Sequence, residues 1–145
     1  MAKVIYTAEA SVTGGRAHGH GTTTDGALEV DLRLPAEMGG EGGGTNPEQL
    51  FAVGYAACFE GALGVVARRQ KVDADDAVID SKVKLLPNGA GGFDLAVELG
   101  VTLPSIEDGA TAVEVVKAAH QVCPYSNATR GNIEVLLTAN GQPVE

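Results

Sequence analysis

The feature that most constrains this chain is one long run. It opens Asn46-Pro47-Glu48-Gln49-Leu50-Phe51, passes through Ala57-Cys58-Phe59, and continues to about Gln70 with nothing in it strong enough to end a helix. Its start is chemically marked. Asn46 can accept a hydrogen bond from a free amide as N-cap, Pro47 suits the first helical position, and Gln49 completes a capping-box pattern. At helical spacing Leu50, Phe51, Val53, Ala56, Ala57, Phe59, Ala62, Val65 and Val66 go almost all the way round the axis. So little polar face implies a buried helix. Arg68, Arg69 and Lys71 close it where the dipole favours cations. The fold must be arranged around this helix, which carries a thiol, Cys58, at its middle.

The flanking segments read mostly as strands. Val4 to Val12 is β-branched and aromatic, Gly14-Gly15 breaks it, and Arg16 to Gly21 follows as a short extended piece. Asp25-Gly26 signals a hairpin. Leu28, Val30, Leu32 and Leu34 then alternate with charged residues until Pro35 ends the strand. Residues 36–45 are rich in glycine. No Gly-Lys-[Ser/Thr] follows, and the helix beyond begins with a carboxylate that would repel phosphate, so a flexible connector is expected. After the helix come strands over Val78 to Leu86 and Phe93 to Leu103, joined by a turn at 87–92. In the second strand Phe93, Leu95, Val97, Leu99, Val101 and Leu103 share one face. A second helix, roughly Glu107 to Val122, is ended by Cys123-Pro124. A loop from Tyr125 to Gly131, a strand through Ile133, Val135 and Leu137, and a frayed tail from Ala139 complete the chain. Antiparallel strand groups separated by helices indicate an α+β fold, one domain over residues 1–145.

Charge narrows the function. A formal net charge of −9 and a pI near 4.7 argue against nucleic acid or an anionic membrane as partner. The runs carry too much charge to span a bilayer, and the first residues lack the layout of a signal peptide. A soluble, cytoplasmic protein is the expectation. In a reducing compartment Cys58 and Cys123 are then inert core thiols, metal ligands or redox groups.

Each candidate has a structural and a chemical reading. Cys58 is either a small core hydrophobe or a nucleophile. A thiol in apolar surroundings is inert unless a cation lowers its pKa, and Arg16, between glycines, is a candidate. Cys123 stands at a helix C-terminus, where the dipole opposes a thiolate, which suits a resolving partner better than a primary nucleophile. His120-x-x-Cys123 falls on one helical face and with Cys58 would make three metal ligands, though such spacing is common by chance. His18 and His20 on a glycine-rich strand read as exposed. Glu48 lies about 15 Å along the helix from Cys58, too far to act on its own helix's thiol. It could act on a second, antiparallel copy, and Gly54, Ala57 and Gly61 would permit a close crossing there.

Two motifs then decide between these readings. Asn46-Pro47-Glu48-Gln49-Leu50-Phe51 leading to Ala57-Cys58-Phe59, together with Val122-Cys123-Pro124-Tyr125-Ser126-Asn127-Ala128-Thr129-Arg130-Gly131-Asn132, closely resembles the organic hydroperoxide resistance proteins of the OsmC-like family of bacterial thiol peroxidases. The resemblance spans nearly the whole chain. It implies an intertwined homodimer with paired central helices, a peroxidatic Cys58, a resolving Cys123, and a cation–carboxylate pair at Arg16 and Glu48. Thr13-Gly14-Gly15-Arg16 matches the family's pattern before its functional arginine. It further implies organic, including lipid, hydroperoxides as substrates, no metal or bound organic cofactor, and a dithiol reductant, a lipoylated protein. Glu60, two residues past Cys58, and the longer tail depart from the pattern. The rival reading is a peroxide-sensing or ligand-binding protein using the same cysteines without turnover.

Overall fold

The computed structural model describes residues 2–145. It divides into two compact units, one ending at Leu50 and the other beginning at Phe51.

The first unit is a three-stranded antiparallel sheet, β1 (Ala10–Thr13), β2 (Gly19–Thr23) and β3 (Glu29–Arg33), in that order. The strand expected from Val4 starts only at Ala10. Val4, Ile5 and Tyr6 are 73%, 100% and 77% exposed. β propensity alone does not make a strand; a neighbour must take its backbone hydrogen bonds. Arg16 to His18, expected to be extended, instead forms a helical turn, α1 (Gly15–His18). Gly14 makes this possible with φ 81°, and a Cβ there would lie 2.7 Å from the His18 carbonyl oxygen. The Asp25-Gly26 turn forms as expected, with Asp25 Oδ1 accepting from the Ala27 amide and the Thr23 hydroxyl. The glycine-rich segment is not a free connector. Its amides stitch it to β3 and the residue after it: Gly42 N donates to Leu34 O at 3.0 Å and Thr45 N to Asp31 O at 2.9 Å, while Arg33 N returns a bond to Thr45 O.

The long helix, α2, spans Pro47–Gln70. Asn46 Oδ1 accepts from the Gln49 amide at 2.8 Å, the cap read from sequence. The reciprocal half of the capping box is replaced, because Gln49 Oε1 accepts from the Thr45 hydroxyl at 2.7 Å.

The second unit holds a four-stranded sheet in the order β4 (Val78–Pro87), β5 (Phe93–Thr102), β6 (Glu134–Ala139), β7 (Gln142–Val144). β4 and β5 form an antiparallel hairpin, whereas β6 runs parallel to β5. A parallel neighbour needs a crossover, supplied by α3 (Gly109–Val122) and α4 (Pro124–Thr129). The supposed loop after Cys123 is thus largely helical, with Pro124 at its first position. The tail is not frayed either. Asn140-Gly141, at φ 49° and 83°, turns β7 back onto β6, the same two-residue hairpin chemistry as an Asn-Gly turn. Asn140 also accepts from the Leu103 amide and donates to Ile106 O, fastening the turn.

The core of this unit is one apolar cluster. Tyr55, Phe59, Leu63 and Val66 of α2 meet Val97, Leu99 and Val101 of β5, Val115 and Val116 of α3, and Leu137 of β6. By composition α2 would suffice to cross a membrane, its most apolar 18 residues having a mean hydropathy of 1.7, contrary to the sequence expectation. Its Tyr55–Phe59–Leu63–Val66 face nevertheless sits in this core. Val53, Ala57, Glu60 and Gly61 are exposed along another stripe, so the helix is not buried all round within one chain.

Candidate active site

Two clusters contain the residues singled out from sequence, one in each unit. In the second unit α2 presents Cys58, half-buried, and the junction of α3 and α4 presents Cys123, fully buried. Both are free thiols, and their sulfurs lie 3.4 Å apart, within reach of an S–H···S contact. Cys123 is locked in place by its position. It closes α3, its amide bonding to Ala119 O at 2.9 Å, and its carbonyl accepts from Asn127 N as α4 begins. Pro124, unable to continue α3, sets the break between them.

The surroundings of Cys58 act in opposing directions. Burial, the largest influence, raises its pKa, the Tyr125 backbone amide lowers it, and the adjacent Cys123 thiol raises it again. Within this unit burial wins and the thiol stands above its ordinary value. The Tyr125 ring packs edge-on to Phe51, with centroids 5.8 Å apart, and lies against α2 at Gly54. A Cβ on Gly54 would meet the Tyr125 hydroxyl at 3.0 Å. Gly54 therefore belongs to this aromatic contact rather than to an open helix face, a correction to the crossing read from sequence. Ala57 and Gly61 do remain exposed. Glu60 is exposed as well, about 200° round the helix from Cys58, which takes its carboxylate away from the thiol side.

In the first unit Arg16 and Glu48, 32 positions apart, come together. Arg16 Nη1 donates to Glu48 Oε1 at 3.0 Å and, more weakly, to Oε2 at 3.4 Å. One nitrogen is shared between two oxygens, which is not a parallel fork and leaves Nη2 and Nε outside the pair. The arginine side chain is 42% exposed and the glutamate 16%.

The histidines separate. His18 is exposed. His20 lies between Asp31 at 2.9 Å and Glu29 at 3.4 Å, and the Asp31 hydrogen bond chiefly raises its pKa. His120 has its pKa lowered, first by burial and then by Arg130. Its Nδ1 lies 2.8 Å from Ser126 Oγ, and no set of three potential ligands converges among the described residues, so the His120–Cys123–Cys58 metal trio is not assembled. Ser126 and Thr129, both buried, and Tyr55 were not singled out from sequence. Their signal was a hydroxyl inside an otherwise apolar stripe, legible at Tyr55 but not at two positions taken for a loop.

Comparison with known proteins closes the question of family. The model of OsmC-like proteins matches residues 40–138. The organic hydroperoxide resistance protein of Xanthomonas axonopodis pv. citri is 54% identical over 140 residues, covering 94% of this chain and 95% of the relative. Two solved structures superpose throughout. The organic hydroperoxide resistance protein from Legionella pneumophila does so with a TM-score of 0.88 at 50% identity, over 93% of this chain and 97% of that one. OhrB of Bacillus subtilis does so with a TM-score of 0.81 at 47% identity, over 92% and 98%. The chain belongs to the OsmC-like family, among its organic hydroperoxide resistance proteins.

Proposed function

We propose that this protein is a thiol peroxidase that reduces organic, including lipid, hydroperoxides to alcohols under oxidative stress. The observation that carries the reading is the unequal pair of free sulfurs, 3.4 Å apart, one half-buried and the other sealed. A peroxide can reach only the first. The names of the relatives, organic hydroperoxide resistance proteins, support the substrate class.

The Cys58 thiolate attacks the outer oxygen of ROOH, the O–O bond breaks, and the alkoxide takes a proton and leaves as ROH. Cys58 becomes a sulfenic acid. The Cys123 sulfur then attacks the Cys58 sulfur, an S–S bond forms, the S–O bond breaks, and water leaves with the thiol's proton. The sulfurs need to approach by about 1.4 Å to reach bonding distance. A dithiol, on a lipoylated protein, returns two electrons by exchange. Because burial holds Cys58 above its ordinary pKa, the attack needs a cation at the sulfur. Arg16, steadied by Glu48, takes that role, with Nη2 and Nε outside the glutamate pair able to turn to a thiolate.

The working form is a homodimer in the cytoplasm. Two apolar features of the single chain support it: the uncovered segment Val4-Ile5-Tyr6, and the stripe Val53, Ala57 and Gly61, where small residues admit a second helix. The test is single-turnover loss of an alkyl hydroperoxide. Cys58→Ser should consume none, and Cys123→Ser should consume one equivalent and stall. Consumption by Cys58→Ser at the wild-type rate would remove the assignment.

A further inference from the structure

A chain of hydrogen bonds, buried at Tyr55, Ser126 and Thr129 and half-buried at His120, ties together the three elements that carry the two sulfurs. Tyr55, one turn before Cys58 on α2, is fully buried with its hydroxyl 2.8 Å from Ser126 Oγ and 3.1 Å from Thr129 Oγ1. Ser126 Oγ is in turn 2.8 Å from His120 Nδ1. His120 precedes Cys123 by three residues on α3, and Ser126 follows it by three on α4. Arg130 completes the tie, donating through Nη2 to the His120 carbonyl at 2.6 Å and to Asn127 Oδ1 at 2.8 Å.

One proton ordering pairs every member. Thr129 donates to the Ser126 carbonyl at 3.3 Å, so its oxygen accepts from Tyr55. Tyr55 has no second hydrogen and accepts from Ser126. Ser126 has then spent its own, and His120 donates through Nδ1. In this ordering the chain runs from His120 to Ser126 to Tyr55 to Thr129 and ends on a backbone carbonyl; the reverse ordering, with His120 Nδ1 accepting, uses the same side-chain contacts. Each member is satisfied only while its neighbour is present, and a buried polar group left unpaired is costly. Such a chain resists small displacements more than apolar contact does, because hydrogen bonds are directional.

We propose that this chain is a clamp that positions Cys123 for condensation with the Cys58 sulfenic acid, making Ser126, Tyr55 and His120 positioning residues of the disulfide-forming step. The inference rests on the peroxidase reading above and names the residues that govern its second half. Of the two sulfurs, peroxide attack needs only that of Cys58. Condensation needs two sulfurs on different elements brought into line, and loss of alignment by about 1 Å can cost up to a hundredfold in rate.

The experiment follows both steps in one reaction. Reduced protein is mixed with one equivalent of cumene hydroperoxide and quenched at intervals with a sulfenic-acid trap, and the Cys58 and Cys123 peptides are weighed. Ser126→Ala should slow disulfide formation at least about tenfold while sulfenic-acid formation slows far less. With excess peroxide, Cys58 sulfinic acid should then accumulate. Tyr55→Phe, which keeps the ring, should do the same, and Ser126→Thr should restore condensation. If Ser126→Ala does not fold, Tyr55→Phe decides alone. Condensation at the wild-type rate, or an equal loss in both steps, would overturn the clamp. Absence of both Cys58 sulfenic acid and the Cys58–Cys123 disulfide in the wild type would instead overturn the peroxidase reading, and the clamp with it.

Discussion

The two units hold their functional groups by different physics. From Phe51 onward the cysteines are set by close packing. Both belong to or border a cluster that contains all the buried apolar side chains among the described residues except Leu32. Up to Leu50 the sheet is held by backbone hydrogen bonds and glycine turns, and Val12 and Leu28 are 60% and 46% exposed. There the Arg16–Glu48 pair depends on two side chains finding each other, with the arginine well exposed. A packed pair is fixed in distance but carries an unfavourable environment for charge. An exposed ion pair is adjustable but screened by salt. The proposed thiol chemistry would draw on both, a positioned sulfur and an adjustable charge, which the chain keeps apart in sequence and in kind.

The largest effect that would break this contrast is on stability. Phe59→Ala removes a fully buried ring and should cost about 3–5 kcal/mol in urea unfolding, whereas Val12→Ala should cost under about 1 kcal/mol. Equal costs would mean that the first unit has a hidden core. Next comes assembly. Gly61→Leu places bulk where no atom lies within 4 Å in the single chain, so the monomer should tolerate it, while the proposed helix crossing should lose about 1–3 kcal/mol. Light scattering across a dilution series reads this, and an undiminished dimer would move the seam elsewhere.

Arg16→Ala tests whether charge from the first unit serves the second. Removing the cation favours the neutral thiol, so the pH profile of Cys58 alkylation should move upward, and its rate at pH 7 should fall about tenfold. Rising salt should act in the same direction on the wild type. An unchanged profile would confine Arg16 to its own unit.

The smallest expected effect concerns the two histidines, which should titrate on opposite sides of the ordinary value. His20, chiefly through its Asp31 bond, has a raised pKa. Its contribution to stability is complete below the unfolded pKa near 6.5 and lost as pH rises through the higher folded value. His120, lowered by burial and Arg130, binds its proton more readily when unfolded. Stability therefore falls as pH drops below the unfolded value and levels off once the folded imidazole protonates. Nuclear magnetic resonance titration of the two imidazoles checks the signs, and His120→Asn should flatten only the acid side. Parallel titration would erase the distinction drawn between their settings.

Much of this fold was legible because local chemistry was strong. The Asn46 cap, the Pro47 start, the Asp25-Gly26 turn and the alternation of β5 each rest on a few neighbouring residues. The misreadings share one cause. Val4 to Tyr6 has strand chemistry but stands uncovered in the single chain, and Arg16 to His18 is turned by two glycines whose φ only the backbone reveals. The Asn140-Gly141 turn is the exception, a local signal equal to Asp25-Gly26. The resemblance implies both pairings, Cys58 with Cys123 and Arg16 with Glu48, across segments that no local pattern connects, whereas the chain through Tyr55, Ser126 and His120 follows from neither motif nor local pattern.

The long helix shows where the division lies. By itself the sequence determined its start, its length and the thiol at its centre, because capping, periodicity and the dipole act within a few residues. Only the tertiary structure decided which stripe enters the core, that Gly54 receives the Tyr125 ring, and that Cys123 stops 3.4 Å from Cys58. Those outcomes depend on how side chains from distant segments fill one space, and close packing is a property of the whole assembly rather than of any stretch within it.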